Sequence, residues 1–320
     1  MILAITLNPS LYKTSIVDGF KLNDTNEVID YRIEFNDGPI HTAHTIKTLQ
    51  GDPFLVGFVG GPGGRHLKGY LEKSKIKSDF TWMDQEIKTI HKIIDSIKGI
   101  ETVLVDQGIS IDEKAIKSFF QKVQNHIQEI TLFILSGEMP NGIEEEDINR
   151  LISIAFEKRK KVILSLEGTY IINILEKNPY GVLLDKKNLD ALGISTEDKE
   201  KMLSECYSLL KTNRIKHMAI YLDDKGIYTL TKSKICYASY SPQLEFDTNN
   251  DKGIKDSILG SFALGIDRGY EQEKIARQMC AVEIASKVAN YEELCQRKEI
   301  DNYVKKIKVK ELMSKSKGLK

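Results

Sequence analysis

The chain has 320 residues, with 46 Lys and Arg against 46 Asp and Glu, and this zero net charge argues against a nucleic-acid-binding module, which would carry a basic excess. Hydrophobic residues make up 41% and charged ones 29%, enough apolar side chain for a core and too much for a disordered chain. The length suits one large α/β domain or two ordinary ones, and no run approaches the roughly 18 apolar residues that a membrane span needs.

The short apolar opening lacks a basic region and a small-residue cleavage site, so Ile2–Leu7 reads as a first β-strand and not as a signal peptide. Residues 14–36 alternate in polarity at Val28, Tyr31, Ile33 and Phe35. A helix is expected at Ala43–Leu49, a strand at Phe54–Val59 and a helix at Arg65–Ser74. Alternation returns in residues 81–105, at Ile90–Ile97 and Thr102–Val105. Sheets that alternate have one wet face, so these two insertions predict a small sheet, a lid, standing off the main domain. Beyond it come a helix at Asp112–His126, a strand at Thr131–Leu135, a helix at Glu144–Arg159, and strands at Lys161–Leu164 and Val182–Leu184. A helix at Thr196–Thr212, a strand at Met218–Leu222, a hairpin from Ile227–Leu230 and Cys236–Tyr240, and helices at about 254–268 and 272–288 follow. Short apolar strands alternating with helices argue for a parallel sheet with crossover helices. Lys305–Lys320 holds seven lysines and reads as a frayed solvated end, an interaction tail being the other reading.

Cys206, Cys236, Cys280 and Cys295 match no zinc or redox spacing and read as reduced thiols of a cytoplasmic protein. With six scattered histidines and no HExxH, a structural metal site is not expected.

Four segments carry the functional signal. They are Thr6-Leu7-Asn8-Pro9-Ser10, Phe58-Val59-Gly60-Gly61 followed by Gly64, Leu135-Ser136-Gly137-Glu138-Met139-Pro140-Asn141-Gly142, and Asp256-Ser257 followed by Gly260 and Phe262. In this order the chain resembles the PfkB, or ribokinase-like, carbohydrate kinases over about residues 1–307, and most nearly the branch of 1-phosphofructokinase and tagatose-6-phosphate kinase. The resemblance implies a three-layer α/β fold: a central, mostly parallel sheet flanked by helices, with lid insertions at about 14–36 and 81–105; outside it, residues 308–320 read from their lysine content as a tail. It also implies ATP and Mg²⁺ as cofactors, a sugar phosphate as acceptor, no nucleic-acid or membrane partner, and a homodimer formed through the lid.

Asp256 falls where such kinases place their catalytic base, in the first turn of a helix continued by Ile258, Leu259, Phe262 and Ala263. A carboxylate there can take a hydroxyl proton while the free N–H groups of the turn hold phosphate oxygens. An aspartate at a helix start also serves as a cap. The resemblance makes Gly253, Ile254 and Lys255 the anion hole. Lys255 stands in place of a glycine, and either supplies positive charge or blocks the site. Asp185 and Asn188 reverse the family's Asn-x-x-Glu, leaving one carboxylate and one amide at i and i+3 for the nucleotide and a water-mediated Mg²⁺. Tyr221 and Gly226 bound the second nucleotide segment, where Asp223-Asp224-Lys225-Gly226 also reads as a hairpin turn. On the sugar side the expected ligands map to Tyr12, Asn36, Gly38 and His41, the last of which also reads as a helix start. The family's lysine for the substrate phosphate is absent, and its lid arginine falls near Thr89 or His91.

Two functions follow. One is an ATP-dependent kinase for a phosphorylated hexose, with Asp256 as base. The other is a catalytically degenerate relative that binds a sugar, a nucleotide or a protein partner. A Rossmann-like dehydrogenase is disfavoured, because Asn8-Pro9-Ser10 and not Gly-x-Gly-x-x-Gly follows the first strand.

Overall fold

Runs of apolar, β-branched residues with no polar face can be satisfied only by a sheet covered on both sides, and the chain builds one. The computed structural model describes residues 1–35, 38–166, 170–223, 226–241, 244, 246, 248, 253–289, 294–314 and 318–319. In chain order the elements are β1 (Ile2–Thr6), β2 (Ser10–Val17), β3 (Val28–Phe35), α1 (Gly38–Thr48), β4 (Pro53–Gly60), α2 (Gly61–Lys73), β5 (Lys77–Met83), β6 (Lys88–Asp95), β7 (Ile100–Val105) and α3 (Glu113–His126). The second half has β8 (Leu132–Gly137), α4 (Glu145–Glu157), β9 (Lys161–Leu166), α5 (Tyr170–Leu175), β10 (Gly181–Asp185), α6 (Lys186–Ala191), α7 (Lys199–Thr212) and β11 (His217–Tyr221). It closes with β12 (Ile227–Leu230), β13 (Lys234–Ser239), α8 (Ile254–Asp267), α9 (Gln272–Val288), α10 (Arg297–Val304), β14 (Lys308–Ser314) and β15 (Gly318–Leu319).

The main sheet has eleven strands in the order β15-β14-β13-β12-β11-β10-β9-β8-β1-β4-β5. Strands β11 to β5 in that order run parallel, and β12 to β15 add antiparallel strands at one end. Side chains alternate across the sheet, so Leu3 and Ile5 of β1 enter a core with α3 to α7, while Ile2 and Ala4 enter another with α1, α2 and α8 to α10. The expected three layers are therefore present. Helix α3 illustrates the local logic. Asp112 caps it by accepting the Ala115 N–H at 2.7 Å, and Phe119 turns inward to meet Phe58 at 4.8 Å between ring centroids.

The small sheet is also present, as β3-β2-β6-β7. Its limits differ from those expected. It begins at Ser10, because β2 leaves the main domain directly after β1, and its second insertion begins at Lys88. Residues 81–83 belong to β5, which pairs with β4 and buries Phe80 in the main core. The tail reading of 308–320 is also corrected: Lys308–Ser314 pairs antiparallel with β13, Lys308 and Lys310 point to solvent, and Val309 packs on the core. Lysines suit a strand near a sheet edge, where they oppose pairing with other chains.

Candidate active site

Parallel strands end together, and the loops leaving their carboxyl ends are where α/β sheets hold ligands. A cavity of about 170 Å³ lies there, between the strand ends and the lid. Asn8 follows β1, Gly137 and Glu138 follow the body of β8, and Ser165 closes β9. The lid supplies Ser10 and Tyr12 from β2 and Lys88 and Ile90 from β6. The parallel register of these strands pairs Ser10 with Lys88 and Tyr12 with Ile90, so residues two apart share the face turned to the cavity. Helix starts close the ring: Gly38 opens α1, and Lys255 and Asp256 lie in the first turn of α8.

Helices α1 and α8 are locked together at this end. Gly253, with φ of 63°, takes the left-handed conformation that starts α8, and an added Cβ would lie 2.5 Å from Cγ of His41. The Thr42 hydroxyl donates to the Asp256 carbonyl at 3.0 Å, and at Gly260 a Cβ would lie 2.5 Å from the Thr42 carbonyl oxygen. The Asp256 carboxyl group rests on Gly38, where a Cβ would come within 2.8 Å of its Cγ. The carboxylate therefore sits between two helix N-termini, whose free N–H groups and dipoles favour anions.

Two ammonium groups join it. Lys255 Nζ donates to Asp185 Oδ2 at 2.6 Å, and Lys88 Nζ donates to Glu138 Oε2 at 2.7 Å. Asp185 is the cap of α6: its Oδ1 accepts the Asn188 N–H at 2.8 Å, while Asn188 Oδ1 accepts the Asp185 N–H at 3.1 Å. Asn188 Nδ2 donates to the Leu166 carbonyl at 2.9 Å, and the residue is only 1% exposed. Two buried polar atoms of the cavity wall, Asn8 Oδ1 and Ser165 Oγ, have no hydrogen-bond partner among the described residues. Buried polar atoms are nearly always satisfied, and these two have hydrogen-bonding capacity left to offer the cavity.

The structure thus gathers Asp256, Lys255, Gly38 and Tyr12 into one cavity, with Gly253 and Ile254 forming the start of α8 beside it. Other expectations fall elsewhere. His41 is 5% exposed and packed beneath Gly253, where its ring supports the start of α8, and it is not among the residues that line the cavity. Tyr221 is buried at the end of β11, in register with Asp185, and Gly226 has φ of 78° after the turn that joins β11 to antiparallel β12. Neither lines the cavity. Asn36, Asp224 and Lys225 lie outside the described residues. Of the lid positions, Thr89 is buried and His91 faces Asp106 at 3.7 Å, so the lid cation in the cavity is Lys88. Sequence reasoning missed Lys88, Ser165 and Glu138, although Asn8, Ser10 and Glu138 lie within motifs it had singled out.

As arranged, Asp185 and Asn188 do not fit magnesium as direct ligands. The amide oxygen is turned inward onto the Asp185 N–H, and the carboxylate is occupied by one N–H and one ammonium. Thiol chemistry has no place here either. The four cysteines are buried and unpaired, and burial pushes Cys206 up to about 12 and Cys236 up to about 11.

The pfkB family carbohydrate kinase model matches residues 38–298. The chain belongs to the pfkB family of carbohydrate kinases. Among this family's members, the 1-phosphofructokinase of Bacillus subtilis is 23% identical over 98% of this chain and 100% of its own length. That of Borreliella burgdorferi is 22% identical over 98% and 99%. The crystal structure of phosphofructokinase-2 from Escherichia coli with fructose-6-phosphate matches with a TM-score of 0.80 and 19% identity, covering 95% of this chain and 98% of that one. A further structure of the same enzyme is a tetrameric inhibited form. The ribokinase-like fold expected from the motifs is the one found.

Proposed function

We propose that this pfkB kinase transfers the γ-phosphoryl group of ATP to a hydroxyl of a phosphorylated hexose, fructose 1-phosphate before tagatose 6-phosphate. The observation that carries the reading is the place of Asp256, in a cavity closed by the lid and bounded by two helix N-termini. The Asp256 carboxylate takes the proton of the acceptor hydroxyl, and that oxygen forms the new bond to phosphorus. The bond from phosphorus to the β–γ bridging oxygen breaks, and its electron pair leaves with ADP. Gly253 and Ile254 offer backbone N–H groups to the moving phosphoryl oxygens. Tyr12 and Gly38 face the sugar, and Lys88 exchanges Glu138 for the sugar phosphate. ATP enters along the ends of β10 and β11, where Asp185, Tyr221 and Gly226 stand. The lid keeps water from the reacting phosphate. ATP use in this family implies magnesium, for which Asp185 and Asn188 offer no direct ligand as arranged, and the roles above use only side chains and backbone.

The lid also supports a homodimer. Val28, Ile29, Tyr31, Val103, Leu104 and Val105 are all exposed on it, and exposed apolar side chains on a sheet are what a second copy would cover. Unpaired thiols fit a reducing cytoplasm.

The test is ADP release with ATP and a panel of fructose 1-phosphate, tagatose 6-phosphate and fructose 6-phosphate. Asp256→Asn lowers kcat by about 10²–10⁴-fold, the usual worth of a general base, with little change in KM. Absence of turnover by the wild type on every member, or full activity of Asp256→Asn, overturns the reading and leaves a binding protein.

A further inference from the structure

Lys255 stands where the resemblance expects a glycine of the phosphate-binding turn, and the structure gives the lysine a defined seat. Its ammonium is held by Asp185 at 2.6 Å, and Asp185 is in turn held by the Asn188 N–H at 2.8 Å. Asn188 is tied to the Leu166 carbonyl at 2.9 Å, so the ammonium is fixed to the ends of β9 and β10. An ammonium has three donors. One goes to Asp185, and the other two have no partner among the described residues. The side chain is 19% exposed and lines the cavity beside Asp256. Ser165, 2% exposed, brings its unpartnered hydroxyl to the same wall. A polyanion is the ligand that such a convergence of ammonium, hydroxyl and helix N-terminus suits.

We propose that Lys255 is a catalytic residue that contacts the transferred phosphoryl group, with Asp185 as its positioning residue, and that this pair replaces a protein-bound divalent ion. The proposal rests on the kinase reading and deepens it. As the bond from phosphorus to the bridging oxygen breaks, negative charge moves onto ADP and the phosphoryl oxygens, and the fixed ammonium meets it with no reorganisation. No proton leaves the lysine; the hydroxyl proton still goes to Asp256. The reach of a lysine side chain from the second position of α8 replaces the close backbone approach that a glycine allows.

Binding and turnover are tested separately. By calorimetry with β,γ-imido-ATP in metal-free buffer, Lys255→Met loses about tenfold or more in affinity, the worth of one charge-assisted hydrogen bond, while Lys255→Arg stays within about threefold. By electron paramagnetic resonance without nucleotide, Lys255→Met binds Mn²⁺ at concentrations where the wild type binds none, and adding Asp185→Asn abolishes that binding. Asp185→Asn keeps the cap of α6, since asparagine caps as well as aspartate, so the variant folds. With sugar phosphate, Lys255→Met lowers kcat by about 10²–10³-fold and leaves the sugar KM unchanged. Unaltered analogue affinity in Lys255→Met, or Mn²⁺ binding by the wild type that Asp185→Asn removes, overturns the proposal. A wild type that turns over no sugar phosphate overturns the kinase reading instead, and the analogue and Mn²⁺ experiments still decide whether Lys255 holds phosphate.

Discussion

Gly38→Ala separates stability from activity in this site. An added Cβ would lie 2.8 Å from Asp256 Cγ and closer still to Oδ1. Carbon atoms settle at about 3.5–4.0 Å, so something must move by about 1 Å. The α8 backbone is not free to yield, because Thr42 clamps the Asp256 carbonyl at 3.0 Å and Gly260 packs on the Thr42 carbonyl. The carboxylate is the far end of a side chain, and it gives way by rotation before the clamped backbone does. The clamped backbone of α8 stays in place, and replacing glycine at a helix start gains at most about 1 kcal/mol. Turnover falls by about 10²-fold, the usual effect of a 1 Å error in placing a reacting group. The assay pairs urea unfolding with ADP release on the best sugar phosphate. The cycle with Asp256→Asn adds a second check: Gly38→Ala costs little further once the base is gone. Turnover within about threefold of wild type, or equal losses in both backgrounds, refutes the argument that Gly38 exists to make room for the base.

Gly253→Ala behaves in the opposite way, as a stability variant. The left-handed conformation costs an alanine about 1–2 kcal/mol, and the clash with the buried His41 ring adds about 1–3 kcal/mol. In a His41→Ala background the second part disappears, and a measured coupling below about 0.5 kcal/mol in denaturant unfolding counts against the packing account. The lid carries a pH effect. Asp95 is 3% exposed, and burial alone would raise its pKa. The N–H groups of Lys98, Phe20, Gly19 and Ile97, at 3.1, 2.7, 3.0 and 3.0 Å, outweigh burial and hold it below the ordinary carboxylate value. Its stabilisation is therefore complete above the unfolded value of about 4 and is lost as pH falls through the lower folded one. Hydrogen exchange at Gly19, Phe20, Ile97 and Lys98, corrected for intrinsic rates, accelerates only below the ordinary carboxylate range and not between pH 5 and 8; protection lost between pH 5 and 8 counts against the assignment.

The parallel core was legible because its strands are apolar on both faces, and an uninterrupted run such as Phe54–Val59 has few other uses. Strand β5 escaped because Lys-Ser-Asp-Phe-Thr-Trp-Met mixes polar and apolar residues, as an edge strand with one partner can. Strand β14 escaped because lysine density masked the alternation of Lys308, Val309 and Lys310. The site was half legible. Asp256, Lys255 and Gly38 lie at helix starts, where punctuation by glycine and aspartate betrays them. Lys88 carries no such signal: only the pairing of β2 with β6, across more than seventy residues, sets it opposite Ser10 and aims it at the cavity. His41, a sugar ligand by resemblance to the family's motif, packs under the start of α8, a contact across more than two hundred residues that the sequence does not display.

The two lysines of the cavity are paired in unequal ways, and the inequality matches the two phosphates of the proposed reaction. A half-enclosed ammonium needs a counter-charge, because desolvating a charge is offset only by pairing it. Lys88 is paired with Glu138, whose side chain is 58% exposed, and an ion pair with so open a partner is worth little. Lys255 is paired with Asp185, which is 20% exposed and fastened by Asn188. In the proposed reaction an arriving sugar phosphate displaces Glu138 at small cost, and Lys88 is released again when the bisphosphate product leaves. Asp185 keeps its hold on Lys255 throughout, so that cation is part of the scaffold. Exchange suits a group that must let go of its substrate at every turnover, and a fixed charge suits the moving phosphoryl group, whose stabilisation depends on dipoles and charges already in place.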